Sequence, residues 1–326
     1  MVNSIQSKPD VNHRTDTDTV SVVLPTHNRA DVLQRALDSV LEQTHENIEV
    51  IVVDDASTDA TESVVDEYDD DRIIYIQHEK SHGGSGARNT GIEKASGAFV
   101  AFLDDDDEWR PQKLSLQLDA YKCADEDVGV VYTGIENVDS KGQTNGVDSP
   151  RVDGDVTKKL LLHNFAGSFS VLLVDAETIE QTGLLDERFP SWQDWEYYIR
   201  LSEHAAFTAV PEPLIVRHNA THEQISDDLE TKLTETYPMF RDKFDSLAAE
   251  YGRWFKRRRR GRLLFQLGYA ALSRDRYALA RRLLTRALVY DPTNPKGYVY
   301  WLVSLGGRYT YRPAQTLKRW AVRQSL

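Results

Sequence analysis

The chain has 326 residues, with 39 Lys or Arg against 52 Asp or Glu and one cysteine, Cys123. That length allows one large domain and a smaller one. A single cysteine excludes an internal disulfide and a cysteine metal cluster. No run reaches the roughly 18 apolar residues of a membrane span, and no secretory leader pattern opens the chain, so a cytoplasmic protein is expected. The charge is uneven. From Arg253 onward there are 18 Lys or Arg and two Asp, a balance of +16, which leaves −29 for residues 1–252. Such an excess of carboxylates keeps a surface hydrated in high salt and suggests a halophilic protein, although an acidic protein of ordinary surroundings also fits.

Residues 1–18 are polar and read as a disordered tail. Val20–Pro25 is short, apolar and β-branched, the pattern of a buried parallel strand. Thr26-His27-Asn28-Arg29 turns the chain, with Asn28 the expected N-cap of the next helix. That helix spans residues 31–43, with Val32, Leu33, Ala36, Leu37, Val40 and Leu41 on one face. A second strand, Ile48–Val53, runs into Asp54-Asp55-Ala56-Ser57-Thr58-Asp59, where Ser57 or Thr58 would cap a helix. Ile73–Ile76 is a third strand. His82–Gly91 is rich in glycine, which lets a backbone approach a ligand closely, and its Arg88 is a planar cation suited to phosphate. No Gly-Lys-Ser/Thr follows, so this is not a P-loop; a flexible loop before a plain helix is the blander reading. A fourth strand, Phe99–Leu103, leads into Asp104-Asp105-Asp106-Asp107-Glu108-Trp109.

Alternating strands and helices predict an α/β domain with a mainly parallel sheet. Ligands of such sheets bind beyond the carboxyl ends of the strands, where both acidic clusters fall. Four consecutive carboxylates repel one another, and a divalent cation with oxygen ligands would supply the counter-charge. A solvated acidic loop is the alternative.

These four motifs, in this order, resemble a family 2 inverting glycosyltransferase of the GT-A fold, over roughly residues 19–230. The resemblance implies transfer of a sugar from a nucleotide-diphosphate donor, by default a UDP-sugar, with Mg²⁺ or Mn²⁺. It puts Pro25, Asp54 and Asp55 on the nucleotide and Arg88 near the donor diphosphate. Asp106 becomes the direct metal ligand. Asp104 and Asp105 reach the ribose or a metal-bound water, with Asp104 also close to the metal, and Asp107 caps a helix or supports the others. The segment Ser191-Trp192-Gln193-Asp194-Trp195 resembles the stretch that opens a helix beneath the acceptor, which makes Asp194 the catalytic base. Gln193 departs from the family by standing where an acidic residue is common. Trp192 and Trp195 either face a sugar ring or pack in the core. His218 or His222 would contact the donor phosphate or the metal, or else lie in a surface loop.

The basic part begins with Lys256–Arg260 and continues in amphipathic patterns at Leu263–Leu272 and Tyr277–Leu288. The last resembles half of a tetratricopeptide-type hairpin, and one unit does not make a solenoid. This region fits an anionic membrane face, or a helical cap whose arginines are solvated or paired with the acidic body. Nucleic acid is not an expected partner. The expected organisation is a tail (1–18), a GT-A domain (19–240) and a basic helical region (241–326). The expected function is addition of one sugar to a lipid-linked or cell-surface glycan, for example a dolichol-phosphate-linked oligosaccharide in protein N-glycosylation. A polysaccharide or glycolipid transferase is an alternative, as is a nucleotide-sugar-binding scaffold without catalysis. Acceptor choice is expected in the variable stretch 134–169. The pattern at Asn219-Ala220-Thr221 is expected to carry no glycan, and Gln315–Trp320 is read as a coincidental likeness to a synthase motif.

Overall fold

A computed structural model describes residues 18–125, 127–218 and 228–311. Residues 1–17, His222, the Asn219 pattern and Gln315–Trp320 lie outside them.

The first half alternates as expected: β1 (Val20–Thr26), α1 (Ala30–Leu41), β2 (Ile48–Asp54), α2 (Thr61–Asp66), β3 (Ile73–Gln77), α3 (Gly83–Lys94) and β4 (Phe99–Phe102). Strands β1, β2, β3 and β4 pair in parallel, with Thr26 beside Asp54 at the carboxyl edge. Strands β1, β2 and β4 are mostly apolar and buried because both faces are covered, while the edge strand β3 is only half-buried. In β2, Val50 and Val52 face the core with Leu33 and Leu37 of α1, while Ile51 and Val53 meet Ala87 of α3. Helix α3 lies close to the sheet because it is rich in glycine: a Cβ on Gly91 would stand 2.3 Å from Val23 Cγ1.

The second half adds β5 (Asp107–Trp109), α4 (Lys113–Cys123), β6 (Val128–Val138), β7 (Thr144–Asp148), α5 (Thr157–Leu160), β8 (Leu172–Asp175), α6 (Ala176–Thr182), α7 (Gln193–Ser202) and β9 (Ala206–His218). The sheet order is β3-β2-β1-β4-β8-β6-β9-β5, with β7 on β6. Here the sheet is mixed. Strand β8 is antiparallel to β4 and β6, and β9 is parallel to β6 but antiparallel to β5. The parallel pattern expected holds across β1 to β4 and again between β6 and β9, with antiparallel pairs at β8, β7 and β5.

Two expected caps are corrected. The N-cap of α1 is Arg29. Asn28 instead has φ 52° and ties two loops together, its Oδ1 accepting from the Thr58 N–H at 2.8 Å and its own N–H donating to Ser57 Oγ at 2.8 Å. Ser57 and Thr58 are thereby used, and Asp59 accepts from the Thr61 N–H at the start of α2.

The chain then turns helical: α8 (Leu229–Thr231), a π-helical segment (Lys232–Thr236), α9 (Tyr237–Lys243), α10 (Asp245–Glu250), α11 (Arg253–Ser273), α12 (Tyr277–Tyr290) and α13 (Pro295–Leu305). The main core continues into this region through Phe240, Phe244, Phe255 and Leu263, and a second core joins α11 and α12. Arg259 is fully buried. It donates to the Phe240 carbonyl at 2.8 Å and stacks over the Phe240 ring. Lys256, Arg259 and Arg260 pair with Asp245, and Arg258 and Arg262 with Asp291. The run Lys256–Arg260 is thus largely spent on ion pairs with Asp245 and Asp291 of the helical region itself. Among the described residues no helix is long and apolar enough to cross a membrane.

Candidate functional site

The carboxyl ends of β1, β2 and β4 converge on a cavity of about 750 Å³. Pro25 and Asp55 line one side. The Asp55 carboxylate caps α3, accepting from the N–H groups of His82 at 2.7 Å and Gly83 at 2.8 Å and from the Ser81 hydroxyl at 2.6 Å. Burial pushes its pKa up, but these donors and the His78 ring outweigh it and hold the group below the usual carboxylate range. Asp54 is not brought to the cavity. It is buried behind Asp55, accepting from the Ser57 N–H at 2.8 Å and the Tyr75 hydroxyl at 2.6 Å.

The acidic run forms the cavity floor, and two arginines hold it. Arg88, itself 4.4 Å above the Phe169 ring, pairs with Asp104. One Arg29 Nη1 lies 2.9 Å from both Asp105 and Asp106. Sequence reasoning passed over Arg29, though it directly follows the turn residue Asn28. Asp105 is pushed up to about 6, by burial first and by the charges of Asp106 and Asp104, against the pull of Arg29. Asp107 rises to about 7 through burial and the Asp104 charge, opposed by Arg217. It caps no helix. It lies in β5, accepting from Ser170 Oγ at 2.6 Å. Ser168 and Ser170 brace this run from a short 3₁₀ turn, Phe169–Val171, which Ser168 caps and which has no motif of its own.

Asp104 and Asp106 both line the cavity, but among the described residues no group of three His, Cys, Asp or Glu forms a ready metal cage. The expected set of Asp106, Asp104 and His218 is therefore not preassembled. His218 lines the cavity with its Nε2 2.9 Å from Glu108 across the β5–β9 pair. The donor set still fits Mg²⁺ or Mn²⁺, because such hard cations are commonly held by one or two carboxylates plus the phosphate oxygens of a bound substrate.

The opposite wall carries Asp194, in the first turn of α7. Its Oδ2 accepts from Asn164 Nδ2 at 2.8 Å. Burial raises its pKa, with the nearby Asp104 charge adding to this, against its bonds to Asn164 and the Trp195 N–H. Trp192 precedes it in the left-handed region, φ 59° and ψ 26°, a conformation that costs energy in a bulky residue and gathers at functional sites. Trp192 lines the cavity half-buried. Trp195 is 1 % exposed, lies tilted against Phe240 and donates to the Leu160 carbonyl at 2.6 Å, so it packs in the core while also bordering the cavity. Gln193 lines the cavity while donating to the Phe189 carbonyl at 2.9 Å. Lys232 and Gln266, from the C-terminal helices, complete the wall. No sequence signal marked either of them, or Asn164.

The sequence model described as Glycosyl transferase family 2 matches residues 21–178. The chain is 33% identical over 184 residues to an Escherichia coli protein, UDP-Glc:alpha-D-GlcNAc-diphosphoundecaprenol beta-1,3-glucosyltransferase WfgD, covering 56% of this chain and 68% of that one. It is 32% identical over 187 residues to an uncharacterized glycosyltransferase of Rickettsia prowazekii, of which it spans 58%; a larger relative from Rickettsia bellii is spanned over only 20% of its length. Among solved structures, Staphylococcus aureus TarS 1–349 in complex with UDP-GlcNAc superimposes with a TM-score of 0.56 at 18% identity, over 86% of this chain and 92% of that one. The mannosyltransferase PcManGT of Pyrobaculum calidifontis, in complex with GDP-Man and Mn²⁺, gives 0.54 at 18% identity, over 94% and 88%. The fold is that of the GT-A glycosyltransferases. The chain belongs to glycosyl transferase family 2.

Proposed function

We propose that this protein is a metal-dependent inverting glycosyltransferase that moves one sugar from a UDP-linked donor to a lipid-linked glycan. The observation that carries this reading is the placement of Asp194. It faces the acidic run across one cavity, carries a raised pKa, and is held by Asn164. A carboxylate so placed suits removal of the proton from an acceptor hydroxyl as its oxygen attacks the anomeric carbon. Inversion follows from a single displacement with one base.

On the donor side, Asp55 and Pro25 are assigned to the nucleotide, and Arg88, with Arg29, to the diphosphate. Asp106 and Asp104 would hold a divalent cation, which would supply charge neutralisation for a departing diphosphate. Trp192 offers the acceptor sugar a face, and Asn164 keeps Asp194 turned toward it. The donor named for TarS and the lipid-diphosphate acceptor named for WfgD support the UDP-sugar and the lipid-linked glycan. A peripheral position on a membrane is supported by an apolar stripe on α13, where Tyr298, Leu302 and Leu305 are 46%, 59% and 50% exposed, beside the exposed Arg281, Arg282 and Arg286 of α12. The acidic remainder of the surface suits work in high salt.

The test is donor turnover by purified protein across a panel of nucleotide sugars in molar KCl, with Mg²⁺ or Mn²⁺ and with chelator. Metal-dependent turnover of one donor is expected, and lost in Asp106→Ala. Nucleotide binding without turnover of any donor, with lipid-linked acceptors present, would favour a binding scaffold.

A further inference from the structure

We propose that Gln193 selects the sugar of the donor, its Oε1 accepting a hydrogen bond from one hydroxyl of the sugar ring. This rests on the transferase reading above and goes beyond it in naming a residue that reads the group being transferred.

The amide has one orientation. Its Nε2 donates to the Phe189 carbonyl at 2.9 Å. Turned over, the amide would set two oxygens against each other, so this bond decides which atom points away. The side chain is half-buried and lines the cavity, and its Oε1 accepts no hydrogen bond among the described residues. The same bond accounts for glutamine where an acidic residue is common. A carboxylate there would face the Phe189 carbonyl with no proton to give.

The free oxygen lies toward the donor. A Cβ on Gly84, at the opening of α3, would stand 3.9 Å from Gln193 Oε1 and 2.9 Å from Arg88 Nη1. Arg88 donates to the Gly84 carbonyl at 2.9 Å and pairs with Asp104. Gln193 therefore starts beside Asp194 on α7 and leans to the helix that carries Arg88. In a direct displacement the base must reach the attacking hydroxyl, and that oxygen must lie about 3–3.5 Å from the anomeric carbon. The transferred ring thus sits within reach of the residues on either side of Asp194. Of these, Trp192 packs toward the C-terminal helices, away from α3. Gln193 faces the Arg88–Asp104 pair, on the side of the departing diphosphate. A phosphate or carboxylate brings no proton to Oε1, so the group it reads is a hydroxyl.

The test is calorimetric titration with Mn²⁺ present. The nucleotide sugar of the panel that binds most tightly, its monodeoxy analogues and UDP are titrated into wild type, Gln193→Met and Gln193→Glu. In wild type one monodeoxy analogue is expected to bind about tenfold more weakly than its parent, the scale of a buried acceptor left without its hydrogen bond. Gln193→Met should bind the parent about tenfold more weakly and no longer distinguish that analogue. Gln193→Glu also loses the bond to Phe189 but keeps an acceptor oxygen, so it should retain most of the discrimination. UDP should bind all three proteins alike. Discrimination that persists in Gln193→Met, or is lost equally in Gln193→Met and Gln193→Glu, overturns the proposal. So does a fall in UDP affinity that matches the fall for the sugar, or a wild type that tells no analogue from its parent. The two readings fail separately. The expected binding pattern without turnover of any donor would remove the transferase reading and leave Gln193 as a sugar reader. Turnover without that pattern would do the reverse.

Discussion

Replacing Asp194 by Asn isolates the base. The amide oxygen of an asparagine can still accept the 2.8 Å bond from Asn164, so the wall and the start of α7 stay in place. The substitution removes only the capacity to take a proton. General-base catalysis contributes on the order of 10²–10⁴-fold, or about 3–5 kcal/mol of barrier at roughly 1.4 kcal/mol per tenfold. Asp194→Asn is therefore expected to lower kcat by that factor while donor affinity, read by calorimetry, stays within about threefold. The thermal midpoint should hold or rise, because burial disfavours the ionised carboxylate and the neutral amide escapes that cost. A fall in kcat below tenfold would refute the assignment. A comparable loss of donor binding or a lowered midpoint would show that Asp194 acts through structure.

Three other outcomes follow from the same geometry. Because burial raises the Asp194 pKa, the base is lost as pH falls through that raised value, so the acid limb of kcat should lie above the ordinary aspartate pKa of about 3.9; a pH–rate profile with its limb at or below that value contradicts this. Gly91→Ala places a methyl 2.3 Å from Val23 Cγ1 and should cost about 1–3 kcal/mol by overpacking α3 on β1, read by urea unfolding; wild-type stability would show that α3 stands further from the sheet. The double substitution Leu302→Glu with Leu305→Glu should abolish flotation with phosphatidylglycerol vesicles and spare transfer to a water-soluble acceptor, whereas retained flotation would remove α13 from any membrane contact.

The parallel half of the fold was legible because β1 to β4 are short, mostly apolar, β-branched or aromatic runs bounded by turn residues or carboxylates. The later strands β6, β8 and β9 were not, since their pairing depends on distant partners, such as Tyr132 on Leu172 in the antiparallel β6–β8 pair and on Ala209 in the parallel β6–β9 pair. At the site, acidic clusters after strands marked Asp55 and the run from Asp104. Which neighbour faces the cavity was not legible: a strand turns successive side chains to opposite sides, and Asp54 goes inward to Tyr75. Counter-ions were also hidden. Arg29 reaches Asp105 and Asp106 from more than seventy residues away, and nothing local distinguishes it from a surface arginine. Asn164, Lys232 and Gln266 are single residues in segments without a motif, joined only by the packing of the C-terminal helices on the main core.

The central claim is a single displacement at one cavity, with Asp194 as base. The proton NMR spectrum of the glycoside formed from an α-linked nucleotide sugar tests it most directly. The account predicts a β-linked product as the first-formed anomer, with Asp194→Asn forming it at least a hundredfold more slowly, on the scale of a lost general base. An α-linked first product would contradict it, since retention requires a chemistry that one base facing one acidic run does not provide.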